Sequence, residues 1–401
     1  MKIMVINVLA IGDTANVMKS LSKITEKSKI HIVNFPKDGA GIFIHDDNVD
    51  RFLSWKVKEQ VEYINKIKNN YDICIVMGAG ERIAYLADLN YIVYYVGRDI
   101  DAPRFIKNSK EFWFKTPLHK LNFLERKFYY NAFKNAVAHV SGVWVYPFLE
   151  KHTANGIKMD MQTIDNQLFK NINHEINMQK IKFTFFSPQR MGIPKGTDLL
   201  WKALKICKTD FEILQVNWFD ESNDEELKIK DQLLNELPSQ VKLIPMIQRK
   251  KMPEYYSFSD AIIGNMRIGT WELVDLEGVM CGKPVLSYSD SNHKLLIKGN
   301  YTKSAFLPHS NKPEDIAKII DEIVSSKEFR DELFENERKF VSNSTDKEWI
   351  SNWWDELFET FSQKYENIHK NSSSISIKMR MGLFLIGNRF YWKKIKKLIK
   401  N

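Results

Sequence analysis

Short apolar and β-branched runs recur through the first half of the chain, at residues 3–9, 29–35, 72–77, 91–96 and 140–146. Helix-compatible stretches at 16–23 and 51–69 lie between them. Strands that are apolar throughout, rather than alternating, belong to parallel sheets covered by helices on both faces. The pattern restarts at Ile181, with strand-like runs at 182–186, 212–216, 241–246, 261–264 and 284–288. Helices fit 198–207, 253–258, 271–281 and 313–324, the last opening with Pro313 and Glu314. The chain therefore reads as α/β, in two successive units with a boundary near 165–180.

The pattern changes after the second unit. Trp349, Trp353, Leu357 and Phe361 recur every four residues and predict one wide aromatic helix face. Residues 367–376 are polar and serine-rich, as a linker would be. Beyond them Tyr391, Ile395, Leu398 and Ile399 share an apolar face with lysines opposite.

Charge sharpens this division. The chain of 401 residues has 59 basic and 50 acidic side chains, a formal charge of +9. Eight of the basic residues and none of the acidic ones fall after residue 370, so everything before is almost neutral. A basic face on a folded domain, which nucleic-acid binding requires, is not indicated. A cationic segment with Phe390, Tyr391, Trp392 and Ile395 fits an interfacial helix, and contact with an anionic membrane through 377–400 is expected. No run is long and apolar enough to span a bilayer, and no cleavable leader is expected. Three distant cysteines exclude a disulfide framework and suit a cytoplasmic setting. Histidines and cysteines show no metal-ligand spacing, so no metal is expected.

Two constellations carry chemistry. In the first, Gly269-Thr270 is read as a helix start, Gly282 as its stop and Pro284 as the opening of the next strand. Free amides at such a start favour a phosphate, and Glu277, two turns in, suits a ribose diol. In the second, 187–198, a strand ends, Arg190 and Lys195 follow, and a helix begins. Two cations there would balance a departing diphosphate. Weaker signals are the turn at Gly12-Asp13 after the first strand and the polar cluster Gly97-Arg98-Asp99 at the end of another. Gly78-Ala79-Gly80 imitates a dinucleotide fingerprint, but Ile83 stands where its third glycine belongs.

Together these residues resemble the retaining, nucleotide-sugar-dependent glycosyltransferases of family 4. The likeness spans roughly residues 1–365 and is strongest from Ser187 to Ser287. Arg190 with Lys195-Gly196-Thr197-Asp198 resembles that family's diphosphate-binding segment, and residues 276–285 resemble its Leu-Glu-Ala-Met-Ala-x-Gly-x-Pro-Val run. Tyr255 to Ala261 resembles the segment before the donor site, and Thr163-Ile164-Asp165 with Phe169 the interdomain hinge. Two positions depart: Gly269 stands where the family has glutamate, and Val96 where it commonly has histidine.

The resemblance implies two Rossmann-like domains facing across a cleft (GT-B), with a C-terminal crossing helix and a basic amphipathic tail. The expected divisions are 1–168 on the acceptor side, 169–345 on the nucleotide-sugar side, 346–366 packing back on the first domain, and 367–401 as linker and tail. It implies sugar transfer with retention from a nucleotide-diphosphate donor to a glycan or lipid-linked acceptor, without cofactor or metal. Donor contacts would come from Arg190, Lys195, Gly269, Thr270, Leu273 and Glu277, an acceptor or phosphate loop from Gly12, Asp13 and Gly97, and cleft candidates are Asp99 and Arg98. A nucleotide-sugar-binding protein without catalysis and a sugar-nucleotide epimerase are the alternatives.

Overall fold

The computed structural model describes residues 5–12, 15–35, 50–51, 54, 56–78, 80–95, 123–173, 176, 179–219, 221, 224–365, 368–370 and 372–387. They form two compact units, Met1–Asp160 with Lys347–Asn401, and Met161–Asp346.

The first unit is built on a parallel sheet of β1 (Ile6–Gly12), β2 (Ser28–Asn34), β3 (Asp50–Arg51), β4 (Ile73–Met77), β5 (Tyr91–Tyr94), β6 (Ala138–Ser141) and β7 (Gly156–Lys158), in the order β3-β2-β1-β4-β5-β6-β7. The central strands β1 and β4 are apolar on both faces because both faces are covered: Val8 to Ile11 and all of β4 are inaccessible to solvent. The intervening helices are α1 (Met18–Ser22), α2 (Val57–Ile67), α3 (Gly80–Leu86), α4 (Phe123–Asn135) and α5 (Tyr146–His152). Two expectations shift here. The run 51–69 yields a helix only from Val57, since Arg51 belongs to β3. The run 140–146 is not one strand. It breaks after Ser141, where Asp160 Oδ1 accepts the Val143 amide at 2.6 Å, and Pro147 helps to open α5.

The second unit has a five-stranded parallel sheet of β8 (Phe183–Ser187), β9 (Phe211–Val216), β10 (Val241–Ile244), β11 (Ala261–Ile263) and β12 (Val285–Leu286), ordered β10-β9-β8-β11-β12. It carries α6 (Thr197–Leu204), α7 (Asp224–Asn235), α8 (Met252–Phe258), α9 (Leu273–Met280), α10 (Pro313–Ser325) and α11 (Lys327–Ser344), plus an antiparallel hairpin of β13 (Leu295–Ile297) and β14 (Asn300–Thr302). Trp201, Leu204, Ile213, Ile263, Ile316 and Ile320 fill its core.

The chain then returns to the first unit through α12 (Lys347–Lys364) and α13 (Ser374–Gly387). The buried face of α12 is not the expected one. Ile350, Trp354 and Phe358 are buried, whereas Trp349, Trp353, Leu357 and Phe361 are only partly covered. The two series lie one residue apart, about 100° around a helix, and both are aromatic. Polar anchors decide between them. Asp355 Oδ2 accepts the amides of Glu26 and Lys27 at 3.1 Å each, and Ser351 Oγ donates to the Ile24 carbonyl at 2.8 Å. These bonds turn Trp354 onto Tyr94, whose ring it meets edge-on at 5.2 Å.

Residues 368–370 are docked rather than loose. His369 bridges Leu89 in antiparallel fashion, the Asn90 amide donates to the Ile368 carbonyl at 2.7 Å, and Ile368 is buried. The helix α13 lies on α4, with Phe384 against Phe128. Its outward face is also apolar: Ile375, Met379 and Ile386 are more than half exposed. Among the described residues no helix is long and apolar enough to cross a membrane. Tyr391 and the rest of 388–401 lie outside the described residues.

Candidate functional site

In an open parallel sheet, ligands bind where neighbouring strands send their following loops to opposite faces. In the second unit that point lies between β8 and β11. The two loops leaving the C-terminal ends of these strands contain most of the predicted donor residues, and they are tied together. Asn265 Oδ1 accepts the amides of Arg267 and Ile268, at 2.8 and 3.0 Å, shaping the turn after β11. Its Nδ2 donates to the Pro194 carbonyl at 3.3 Å, and Arg267 Nε donates to the Ile193 carbonyl at 2.7 Å. Arg267 also holds both oxygens of Asp198 at 2.6 Å, at the start of α6. Gly196 takes φ +70°, and a Cβ there would sit 2.8 Å from the Met266 carbonyl carbon, so only glycine permits this approach.

Lys195 closes the turn before α6. Its Nζ donates to both carboxylate oxygens of Glu272, at 2.6 Å to Oε2. Arg190 stands in the same loop, partly exposed. The helix expected to begin at Gly269-Thr270 begins instead at Leu273, with Glu272 as its N-cap. Gly269 is a turn residue at φ +79°, its carbonyl accepting from the Asp290 amide at 2.9 Å and from His293 Nδ1 at 2.8 Å. A Cβ there would press on Asp290 and Tyr288 in a left-handed backbone, so a glutamate would be strained in this turn. Thr270 is buried and Leu273 half-buried at the first turn of α9.

Glu277 is not presented to a ligand here. It is 1% exposed and both its oxygens are engaged, Oε1 by Arg249 at 2.5 Å and Oε2 by the Tyr256 hydroxyl at 3.0 Å. Burial pushes its carboxyl up, and Arg249 opposes this. Arg249 lies half-exposed over the Phe169 ring at 4.8 Å, so Glu277 reaches the surface through that guanidinium. Asp275, two residues earlier, is wholly buried. Its Oδ2 accepts the Glu272 amide at 2.7 Å and the Ser287 hydroxyl at 3.0 Å, and burial pushes its carboxyl up to about 8. Lys195, Gly269, Thr270 and Leu273 thus share one sheet end, while Glu277 lies inside. Arg249, Arg267, Asn265 and the Lys195–Glu272 pair escaped sequence reasoning. Glu272 alone gave a signal, as an acid beside the expected helix start.

In the first unit the equivalent point lies between β1 and β4. Gly12 ends β1 against β4, where a Cβ would meet the Met77 carbonyl carbon at 2.9 Å and its oxygen sooner. Gly80 opens α3 equally close to Ile11, at 2.8 Å from its carbonyl carbon. Both glycines serve strand and helix packing. Asp13, Val96, Gly97, Arg98 and Asp99 lie outside the described residues. No group of three or more potential metal-binding side chains occurs among the described residues.

Residues 169–340 match the family described as glycosyl transferases group 1. That match lies wholly within the second unit, which is called the group 1 domain below. Solved structures of GT-B glycosyltransferases share the fold of the chain. Anabaena HepE in complex with UDP and glucose is 13% identical with a TM-score of 0.58, over 88% of this chain and 100% of that one. Sucrose-phosphate synthase from Thermosynechococcus elongatus is 13% identical with a TM-score of 0.60, over 89% and 99%. An α-glucosyltransferase in complex with UDP and a 13-mer DNA is 12% identical with a TM-score of 0.60, over 88% and 100%. No curated protein matches the chain. The chain thus has two Rossmann-like halves of the GT-B type, and the group 1 domain holds the Lys195 loop and α9.

Proposed function

We propose that the protein transfers a sugar from a nucleoside-diphosphate donor to an acceptor hydroxyl, with retention and without a metal, and that the group 1 domain seats the donor. One observation carries this reading: Lys195 and the start of α9 meet at the β8/β11 switch point of a domain matching that family. Two of the neighbours are complexes with UDP. As the bond between the sugar and the diphosphate breaks, its electron pair moves onto the phosphate oxygen. Lys195 and the cationic loop then stabilise charge that is growing, which accelerates the step. The acceptor oxygen bonds to the sugar on the face being vacated and passes its proton to the departing phosphate. In a thermal-shift screen at millimolar concentration, at least one of the UDP-, GDP- and ADP-sugars is expected to raise Tm. Lys195→Ala is expected to weaken that donor about 10- to 100-fold, the scale of one charge-assisted hydrogen bond. No shift with any donor would overturn the reading.

The acceptor is read as glycan or lipid-linked, reached at the cytoplasmic surface of an anionic membrane. The outward apolar stripe Ile375, Met379, Ile386 and the basic residues after 387 support this placement. Deletion of 388–401 is the proper test, since a cut before Ser372 would also remove the docked α13. That deletion, combined with Met379→Glu, is expected to abolish pelleting with phosphatidylglycerol vesicles. Unchanged pelleting removes the membrane from the proposal.

A further inference from the structure

We propose that Glu272 is a built-in counter-anion in the diphosphate seat, which a donor must displace from Lys195 and from the α9 N-terminus. The inference rests on the donor reading above and concerns how that same seat is regulated. Lys195 and Glu272 side chains are 19% and 23% exposed and directly paired, so the ammonium is already neutralised and largely closed to solvent. The same carboxylate accepts the backbone N–H of Asp275. One side chain therefore takes both features that would attract a phosphate, the cation and the helix amide.

Capping does not explain the choice of residue. Helix N-caps favour Ser, Thr, Asp and Asn, whose short side chains reach their own first turn. Glutamate is one methylene too long for that preference but long enough to reach Lys195. The helix start is also secured independently, because Asp275 Oδ2 accepts the Glu272 amide and the Asp275 amide reaches the Glu272 carbonyl at 3.1 Å. The Glu272 side chain can swing away and leave α9 formed. A carboxylate beside the seat opposes the free nucleoside diphosphate more than the sugar-esterified donor, which carries less charge. Glu272 thus biases the seat towards releasing product.

The test is calorimetric titration of the full chain with inorganic pyrophosphate, UDP and GDP. Glu272→Gln removes the charge and keeps an acceptor oxygen. Glu272→Asp keeps the charge and a good cap but falls short of Lys195. Both variants are expected to bind pyrophosphate and the preferred diphosphate about tenfold tighter than the native chain, with a smaller gain for the matching UDP- or GDP-sugar. Equal or weaker binding by both variants, while the native chain binds, overturns this inference alone and makes Glu272 a positioning residue for Lys195. Absence of binding by every form overturns the donor reading and this inference with it.

Discussion

Replacing Gly264 with alanine is expected to cost the group 1 domain roughly 3 kcal/mol or more. Gly264 directly follows β11, and both its backbone groups are committed: its amide donates to the Leu286 carbonyl at 2.8 Å, and its carbonyl accepts from Gln189 Nε2 at 2.5 Å. The backbone therefore cannot retreat. A Cβ there would sit 2.7 Å from Ser287 Oγ and closer still to Asp275 Oδ1. Neither obstacle can swing aside cheaply, because Asp275 and Ser287 are bonded to each other and Asp275 also holds the amide of Glu272, the N-cap of α9. The methyl group must break that buried network or force the strand off its neighbours. Gly278→Ala is the control. Its Cβ would meet only apolar atoms, Val285 Cγ2 at 2.9 Å and Ile262 Cγ1 at 3.0 Å, on buried β-branched side chains, and the helix regains up to about 1 kcal/mol of that cost in propensity. Urea midpoints followed by amide exchange at Ile262 and Gly264 should show a clearly larger loss for the first variant than for the second. Similar losses would mean that the Asp275–Ser287 pair does not confine the strand end.

The sequence made the architecture readable because parallel strands buried on both faces need continuous apolar runs, and nine of the ten predicted runs contain a strand in nearly the same place. The exception, 140–146, failed where Gly142 and Pro147 turn one run into a strand end and a helix start. The Lys195 loop was legible for a similar reason, since glycine and proline mark its turns. What escaped was whatever depends on a partner distant in sequence. The buried face of α12 is set by Asp355 meeting the amides of Glu26 and Lys27, a contact across more than 300 residues. Glu277 looks exposed on a helical wheel until Tyr256 and Arg249 are placed over it. Likewise the start of α9 moves from Thr270 to Leu273 because Asp275 Oδ2 accepts the Glu272 amide, and an aspartate at that position is a weak sequence signal beside the usual Ser/Thr–Glu pair.

Arg380→Ala is expected to undock the C-terminal segment from the first unit. Composition places Arg380 in a solvated basic tail, yet it is 8% exposed. Its guanidinium donates to Asp88 Oδ1 at 2.7 Å, to the Tyr85 carbonyl at 3.0 Å and to Ser372 Oγ at 2.8 Å, and it lies 4.6 Å over the Tyr85 ring. Asp88 in turn accepts the Ser372 amide at 2.8 Å, and its carbonyl accepts the Lys370 amide at 3.0 Å. Removing the guanidinium leaves a buried carboxylate without its cation, a loss of about 3–5 kcal/mol. That exceeds what one helix packed on α4 can hold back, so proteolysis between Ile368 and Ser372 should accelerate sharply while the group 1 domain keeps its own urea midpoint. Arg380→Lys should recover only part, since an ammonium cannot reach three acceptors in the fork geometry of the native residue. The pH dependence carries a definite sign. Burial pushes the Asp88 carboxyl up, but the Ser372 hydroxyl and amide and then Arg380 pull it below the usual carboxylate range. A group held low in the folded state stabilises above its unfolded value, about 4, and loses that contribution as pH falls through the folded one. Protection of the 368–372 segment should therefore be constant through neutral pH and fail only in acid. Equal protease sensitivity of the native and Arg380→Ala chains at pH 7 would show that the apolar contacts of Phe384 and Ile368 hold the segment by themselves.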